Sequence, residues 1–424
     1  MFAVLYPLFI RIYAAFMHLA ALFHPKARKW VAGRENLLPR LSAELPPLLR
    51  GRPVVWFHAA SLGEFEQGRP VMEAFRARYP DHFIFLTFFS PSGYEVRKNY
   101  AGADLVTYLP GDTRTNAQQL VSLLRPRVAF FIKYEFWYNY LRELRSNGTI
   151  ILSFSAIFRS DQLFFKSYGK SYTRLLRYFD HILVQNEESA RLLRGIGLEA
   201  VTVAGDTRFD RVQQIADAAR DLPEIAAFVQ NEPCLIVGSA WEADRAVIAP
   251  ALNDLKIPLK AIIAPHEIHE AELVRWEQRL TGQTLRYSAY KAAGFDFDKI
   301  KNAKYLLIDN VGMLSSLYRY GQVAYIGGAF GAGLHNILEA ATFGLPIFFG
   351  NKSFEKFQES VDLIQQQGAW AISDTEDFQE KLEKLLAHPA AQEKSGDVNR
   401  TYVQTRIGAT DTVMRCVTRF LEAN

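Results

Sequence analysis

The sequence predicts an α/β chain of two doubly wound domains, and three observations carry that prediction. Short apolar runs bounded by turn residues recur along the chain from residue 50 onward. Helix-period segments alternate with them, and continuous apolar strands alternating with helices indicate parallel sheets covered on both faces. The chain has 424 residues, more than one ordinary core holds, so two domains of roughly 200 residues each are expected. A composition of 49% hydrophobic and 22% charged residues is globular.

Strands are predicted at 54–59, 83–89, 104–109, 128–133, 149–155, 181–185 and 201–204. A second set follows at 234–238, 259–264, 305–308, 323–326, 346–349 and 369–372. Helical patterns such as 70–79, 117–124, 189–196 and 377–387 lie between them. The stretch from Arg208 to Asn231 lacks a long apolar run and ends at Pro233, so the domain boundary falls there. The expected units are 26–207 and 208–424, each Rossmann-like, with the last helix packing back on the first domain. Two such halves facing one another leave a cleft, and ligands of these sheets sit beyond the carboxyl ends of the strands. No repeat or low-complexity tract is evident.

Met1 to Phe23 is almost wholly apolar, broken by Arg11 and His18 and followed by Lys26, Arg28 and Lys29. No small-residue cleavage site follows, so a removed signal peptide is not expected. Residues 1–25 are predicted as a membrane anchor helix, either spanning the bilayer or lying in its interface, with Lys26 onward on the cytoplasmic side. The plain alternative is an apolar helix docked on the protein. Residues 1–60 carry a net charge of +6 against +4 for the whole chain, leaving −2 elsewhere. That local excess suits anionic headgroups and argues against a general nucleic-acid surface. The two cysteines, Cys234 and Cys416, read as buried free thiols.

Chemistry-bearing residues gather at strand ends. The strand 54–59 runs into Ala60-Ser61-Leu62-Gly63-Glu64, with a helix opening near Glu64. A carboxylate there suits a general base if burial raises its pKa, or else complements the helix dipole. Glu135 follows the strand 128–133 among aromatics and offers a second carboxylate. Arg208, in Gly205-Asp206-Thr207-Arg208-Phe209-Asp210, holds an anionic substrate or joins Asp206 or Asp210 in a salt bridge.

In the second half, Gly238-Ser239, Pro265-His266 and Asn310-Val311-Gly312-Met313-Leu314 each follow a strand. The glycine-dense turn 327–333 precedes a helix expected near Asn336, with Asn336 and Glu339 on one face. Glycines let backbone approach a ligand, and helix N-termini favour phosphate. The turn serves equally as a packing device. His266 and His269 invite a zinc reading that lacks a third ligand.

Taken together, A-S-L-G-E at 60–64, Glu135 with Trp137 and Asn139, and G-D-T-R-F-D at 205–210 resemble a known family. G-S at 238–239, V-G-M-L at 311–314, G-G-A-F at 327–330 and H-N-I-L-E at 335–339 extend the match in order through nearly the whole chain. The pattern resembles the 3-deoxy-D-manno-octulosonic acid (Kdo) transferases of lipopolysaccharide assembly. That resemblance implies a two-domain GT-B glycosyltransferase, inverting, with no metal or other cofactor. The implied donor is CMP-Kdo and the implied acceptor is the tetraacylated lipid A precursor, at the cytoplasmic face of the inner membrane.

By the same resemblance Glu64 is the general base toward the acceptor's glucosamine 6-hydroxyl, and Glu135 and Arg208 assist the transition state. Pro265, His266, Gly312, Met313, Leu314, Asn336, Ile337, Leu338 and Glu339 align with the family's CMP contacts. Two positions depart from the pattern: Arg208 stands where lysine is frequent, and His266 where arginine contacts the nucleotide. The rival readings are another GT-B enzyme using a UDP-sugar, either a lipid glycosyltransferase or an epimerase, and a non-enzymatic two-lobed sugar-binding protein.

Overall fold

A computed structural model describes residues 2–296, 300 and 302–423, and its chain divides into two compact units. The first comprises Met1–Arg211 with Ile407–Asn424, the second Val212–Arg406.

The sheet of the first unit holds β1 (Val54–Ala59), β2 (Phe83–Phe88), β3 (Leu105–Tyr108), β4 (Val128–Ile132), β5 (Ile150–Ala156), β6 (His181–Val184) and β7 (Val201–Val203). Their order is β3-β2-β1-β4-β5-β6-β7, and every pairing is parallel. β1, β2, β4 and β5 are buried along their whole length, which is why they read as unbroken apolar runs rather than alternating ones. The order reverses between β1 and β4, so the crevices opened by the two crossover directions meet at their carboxyl ends.

The second unit repeats the plan with β8 (Cys234–Ala240), β9 (Lys260–Pro265), β10 (Thr284–Arg286), β11 (Tyr305–Leu307), β12 (Val323–Ile326), β13 (Ile347–Gly350) and β14 (Ala369–Ile372). Their order is β10-β11-β9-β8-β12-β13-β14, again all parallel, with the reversal between β8 and β12. Thirteen of these fourteen strands coincide with predicted runs. The exception, β10, is a three-residue edge strand of half-buried side chains, too short and too polar to stand out.

The C-terminal helix Ala409–Glu422 belongs to the first unit. Its Val413, Val417 and Leu421 pack with Val55, Phe75 and Phe130. Asp210 fastens its start: the carboxylate accepts hydrogen bonds from the amides of Gly408 (2.6 Å) and Thr410 (2.7 Å) and from the Thr410 hydroxyl. Cys234 is buried in β8, where desolvation lifts its thiol to about 12. Cys416 corrects the sequence reading, being only half-buried on that C-terminal helix.

The N-terminal helix Phe2–Ala20 has two apolar faces. Ile10 is buried, the Tyr6 hydroxyl donates to Asp112 (2.5 Å), and the Tyr13 ring meets Trp30 and Phe89. Leu5, Leu8, Phe9, Ile12, Phe16 and Leu19 are exposed, Phe9 and Phe16 to 63% each, at the spacing of one helical stripe. Among the described residues no helix is long and apolar enough to cross a membrane.

Candidate functional site

Glu64 stands where the first sheet reverses its strand order. β1 ends at Ala59, and Ser61 caps the helix Leu62–Arg78 by accepting from the Glu64 amide at 3.5 Å. The Glu64 carboxylate reaches back to accept from the Ala60 amide, so the two side chains close the helix start reciprocally. The helix opens at Leu62, next to the start expected near Glu64, and runs through the predicted 70–79 segment. Burial pushes the Glu64 carboxyl up to about 7, the neighbouring Glu135 carboxylate adds to the rise, and the Ala60 amide and Lys133 oppose it. The cap contact orients the Glu64 carboxyl, and desolvation raises its pKa.

Across the reversal, β4 ends at Ile132 and Lys133 turns the chain at φ 67°. Glu135 follows, its Oε2 accepting from the Trp137 indole at 2.7 Å and lying 3.1 Å from His58 Nε2. Asn139, quoted with these residues in the sequence, serves elsewhere: buried, it bonds Asp112 through its amide nitrogen (3.1 Å) and side chain (2.7 Å). Arg208 Nε donates to Asp206 Oδ2 at 2.8 Å, while Asp206 Oδ1 accepts from Gln67 and from the Arg208 amide. Lys133 is held below the ordinary lysine range by burial first and then by the Arg208 charge, with Asp206 and Glu64 opposing. Glu64, Glu135 and Arg208 are therefore joined by one electrostatic neighbourhood.

Sequence reasoning missed two members of this neighbourhood. Lys133 carried no signal, because its left-handed backbone is set by the turn out of β4. His58 did carry one: it is a fully buried polar side chain inside an apolar strand, a placement that demands partners.

In the second unit β8 ends in Gly238, Ser239 and Ala240, and β12 runs into Gly327 and Gly328. A Cβ at Gly327 would lie 2.4 Å from the Ser239 carbonyl oxygen, and one at Gly328 (φ 97°) would lie 2.2 Å from the Gly333 carbonyl oxygen. Glycine is required at both, the first by close approach and the second also by its backbone. Asp244, fully buried, locks the turn: it accepts from the Gly328 amide (2.8 Å), the Trp241 amide (2.8 Å) and the Tyr325 hydroxyl (2.6 Å).

Trp241 stacks on His266 with ring centroids 3.9 Å apart and donates its indole hydrogen to His335 Nε2 at 2.9 Å. Burial lowers the pKa of His266 and, together with His266 itself, that of His335. His266 follows Pro265 at the end of β9. The helix expected near Asn336 starts two residues later, at Leu338–Thr342; Asn336 precedes it, accepts from the Leu338 amide (3.1 Å) and donates to Glu339 (3.3 Å). Met313, Ile337 and Leu338 are core side chains, so only their backbone can meet a ligand. Gly312 (φ 92°) and the four-residue helix from Leu314 complete the set. His269 is the N-cap of the helix Glu270–Arg279, and among the described residues no group of three or more His, Cys, Asp or Glu is placed to hold a metal.

Residues 35–211 match the family model described as 3-Deoxy-D-manno-octulosonic-acid transferase (kdotransferase). The chain is 26% identical over 377 residues to the 3-deoxy-D-manno-octulosonic acid transferase of Chlamydophila psittaci, covering 85% of this chain and 84% of that protein. It is 24% identical over 431 residues to the corresponding protein of Haemophilus influenzae, covering 96% and 95%. A UDP-GlcNAc 2-epimerase from Neisseria meningitidis bound to UDP-GlcNAc superimposes with a TM-score of 0.56 at 14% identity, over 86% of this chain and 100% of that one. Likeness at that identity shows the fold alone, two parallel-sheet α/β domains of the GT-B kind.

Proposed function

From the premise that this chain belongs to the 3-deoxy-D-manno-octulosonic-acid transferase family and is a glycosyltransferase, we propose that it moves Kdo from CMP-Kdo to the lipid A precursor in lipopolysaccharide biosynthesis, with inversion and without a metal. Glu64, as carboxylate, takes the proton of the acceptor hydroxyl while that oxygen bonds to the Kdo anomeric carbon. The bond from that carbon to the CMP phosphate oxygen breaks and CMP leaves with the electron pair. Glu135 and Arg208 have roles at the transition state. Pro265, His266, Gly312 to Leu314 and Asn336 to Glu339 offer backbone groups and a few polar side chains to CMP.

One observation carries the reading: a carboxyl at a strand end with its pKa raised to about 7, near the value a base needs at neutral pH. The test is incubation of the full chain with CMP-Kdo and lipid A precursor, with and without EDTA, and mass spectrometry of the lipid. A Kdo adduct in both samples is expected. An adduct formed only with a UDP-sugar, or only with an added divalent ion, would overturn the donor or the metal-free step respectively.

The exposed stripe from Leu5 to Leu19, followed by Lys26, Arg28 and Lys29, supports attachment along a membrane interface at the cytoplasmic face rather than across the bilayer. Such attachment suits an acceptor that stays in the bilayer. The full chain should sediment with anionic vesicles, and glutamine at Leu8, Phe9, Ile12 and Phe16 should release it. Undiminished binding by that variant would sink the interfacial reading.

A further inference from the structure

We propose that His58 is a positioning residue for the transfer reaction, aiming the Glu135 carboxylate through a directed hydrogen-bond chain that runs Trp56–Thr87–His58–Glu135. This rests on the reading above that Glu64 and Glu135 serve the transfer.

Sheet register builds the chain. Trp56 and His58, two apart on β1, point to the same face, and Thr87 on β2 is the register partner of His58. The Trp56 indole donates to Thr87 Oγ1 at 2.8 Å, and His58 Nδ1 lies 2.8 Å from the same oxygen. On the other side His58 Nε2 lies 3.1 Å from Glu135 Oε2, to which the Trp137 indole also donates at 2.7 Å. His58 and Thr87 are both fully buried, so bulk water does not compete for the bonds between them.

Counting hydrogens fixes the direction. The Thr87 hydroxyl owns one hydrogen, with His58 Nδ1 at 2.8 Å and the Phe57 carbonyl at 3.4 Å as acceptors. Given to Nδ1, it leaves the imidazole hydrogen on Nε2, aimed at the Glu135 carboxylate, and every group is satisfied with no extra proton. The opposite tautomer donates from Nδ1 to Thr87 and leaves the Nε2 lone pair and Glu135 Oε2, 3.1 Å apart, competing for the single Trp137 indole hydrogen, whose nitrogen lies 3.0 Å from Nε2 and 2.7 Å from Oε2. Thr87 therefore sets which nitrogen of His58 carries the hydrogen, and His58 together with Trp137 sets where Glu135 points.

The test is a double-mutant cycle in the full chain. His58→Phe should lower kcat for Kdo transfer about tenfold or more, the size of loss typical when an outer partner of a functional group is removed. The KM for CMP-Kdo should stay within about twofold, since a residue acting only at the reacting centre leaves substrate binding largely intact. On a Glu135→Gln background the same change should cost nothing further, because the group it orients is already gone. His58→Gln, which keeps an N–H donor, should recover part of the loss.

An equal loss from His58→Phe on both backgrounds, or no loss at all, would overturn the proposal. Should both His58 variants fail to fold, Thr87→Val against Thr87→Ser decides it: only the valine should lower kcat, and equal activity of the two would refute the directed chain. Failure of the underlying reading looks different, as near-normal transfer by Glu64→Ala and Glu135→Gln.

Discussion

After β1 the chain leaves the sheet through Ala60 and Ser61 into a helix of 17 residues, whereas after β12 it leaves through Gly327 and Gly328 into a loop that precedes a helix of five. Both exits stand at the point where their sheet reverses strand order. The first carries side chains: a serine cap, a carboxylate bent back on its own helix start, and a second carboxylate from the adjoining strand. The second withholds them, since two glycines admit no Cβ and the buried Asp244 accepts from the Gly328 amide. At the reversal of strand order the first sheet thus presents polar side chains, and the second presents backbone from which side chains are excluded.

Mutations that should affect only one exit test this contrast. The largest effect is expected from Glu64→Ala, which should cut transfer by roughly 10²–10⁴-fold, the usual range for a lost general base. CMP affinity, read by calorimetry, should be unchanged. In the wild type kcat/KM should rise as pH passes upward through about 7, where Glu64 loses its proton, and the variant's residual rate should lack that limb. A variant with normal rate, or with weakened CMP binding, would erase the distinction between the two exits.

Gly328→Ala should do the converse. At φ 97° an L-residue costs about 1–2 kcal/mol, and its Cβ would collide with the Gly333 carbonyl. CMP should bind about tenfold more weakly, with the acid limb of the surviving activity unmoved. Full CMP affinity in this variant would show that the glycine turn is merely a packing device.

The smallest effect is expected at His266. Its pKa lies below the usual 6.5, so the ring is uncharged at pH 7.5 and gains its charge only as pH falls through that lowered value. His266→Arg should lower the CMP-Kdo KM by about two- to fivefold at pH 7.5, as a partly exposed ion pair allows. The difference should narrow as pH falls and His266 becomes charged too. Equal KM values at pH 7.5 would mean that the ring meets no phosphate.

Much of this architecture was legible from local pattern. The strands appeared as apolar runs because a strand covered on both faces needs no polar positions, and Glu64, Glu135 and Arg208 were legible because each follows such a run. The helix start at Leu62 was legible too, from the turn residues before Glu64, although Ser61 and Glu64 close it by capping rather than by apolar period. The divided character of the N-terminal helix was hidden. Both of its faces are apolar, and only the burial of Ile10 and Tyr6's bond to Asp112 mark which one docks.

By itself the sequence determined the alternation of strand and helix, the two sheets, and the strand ends at which polar residues gather, because each follows from periodicities a few residues long. Tertiary structure alone decided that His58 would meet Thr87 and Glu135, that Glu64 would be desolvated beside a second carboxylate, and that Asp210 would hold the C-terminal helix. Those outcomes depend on register between β1, β2 and β4 and on contacts across as many as 200 positions. Hydrogen bonds and proton affinities answer to what lies within a few ångströms in space, and no local pattern records that.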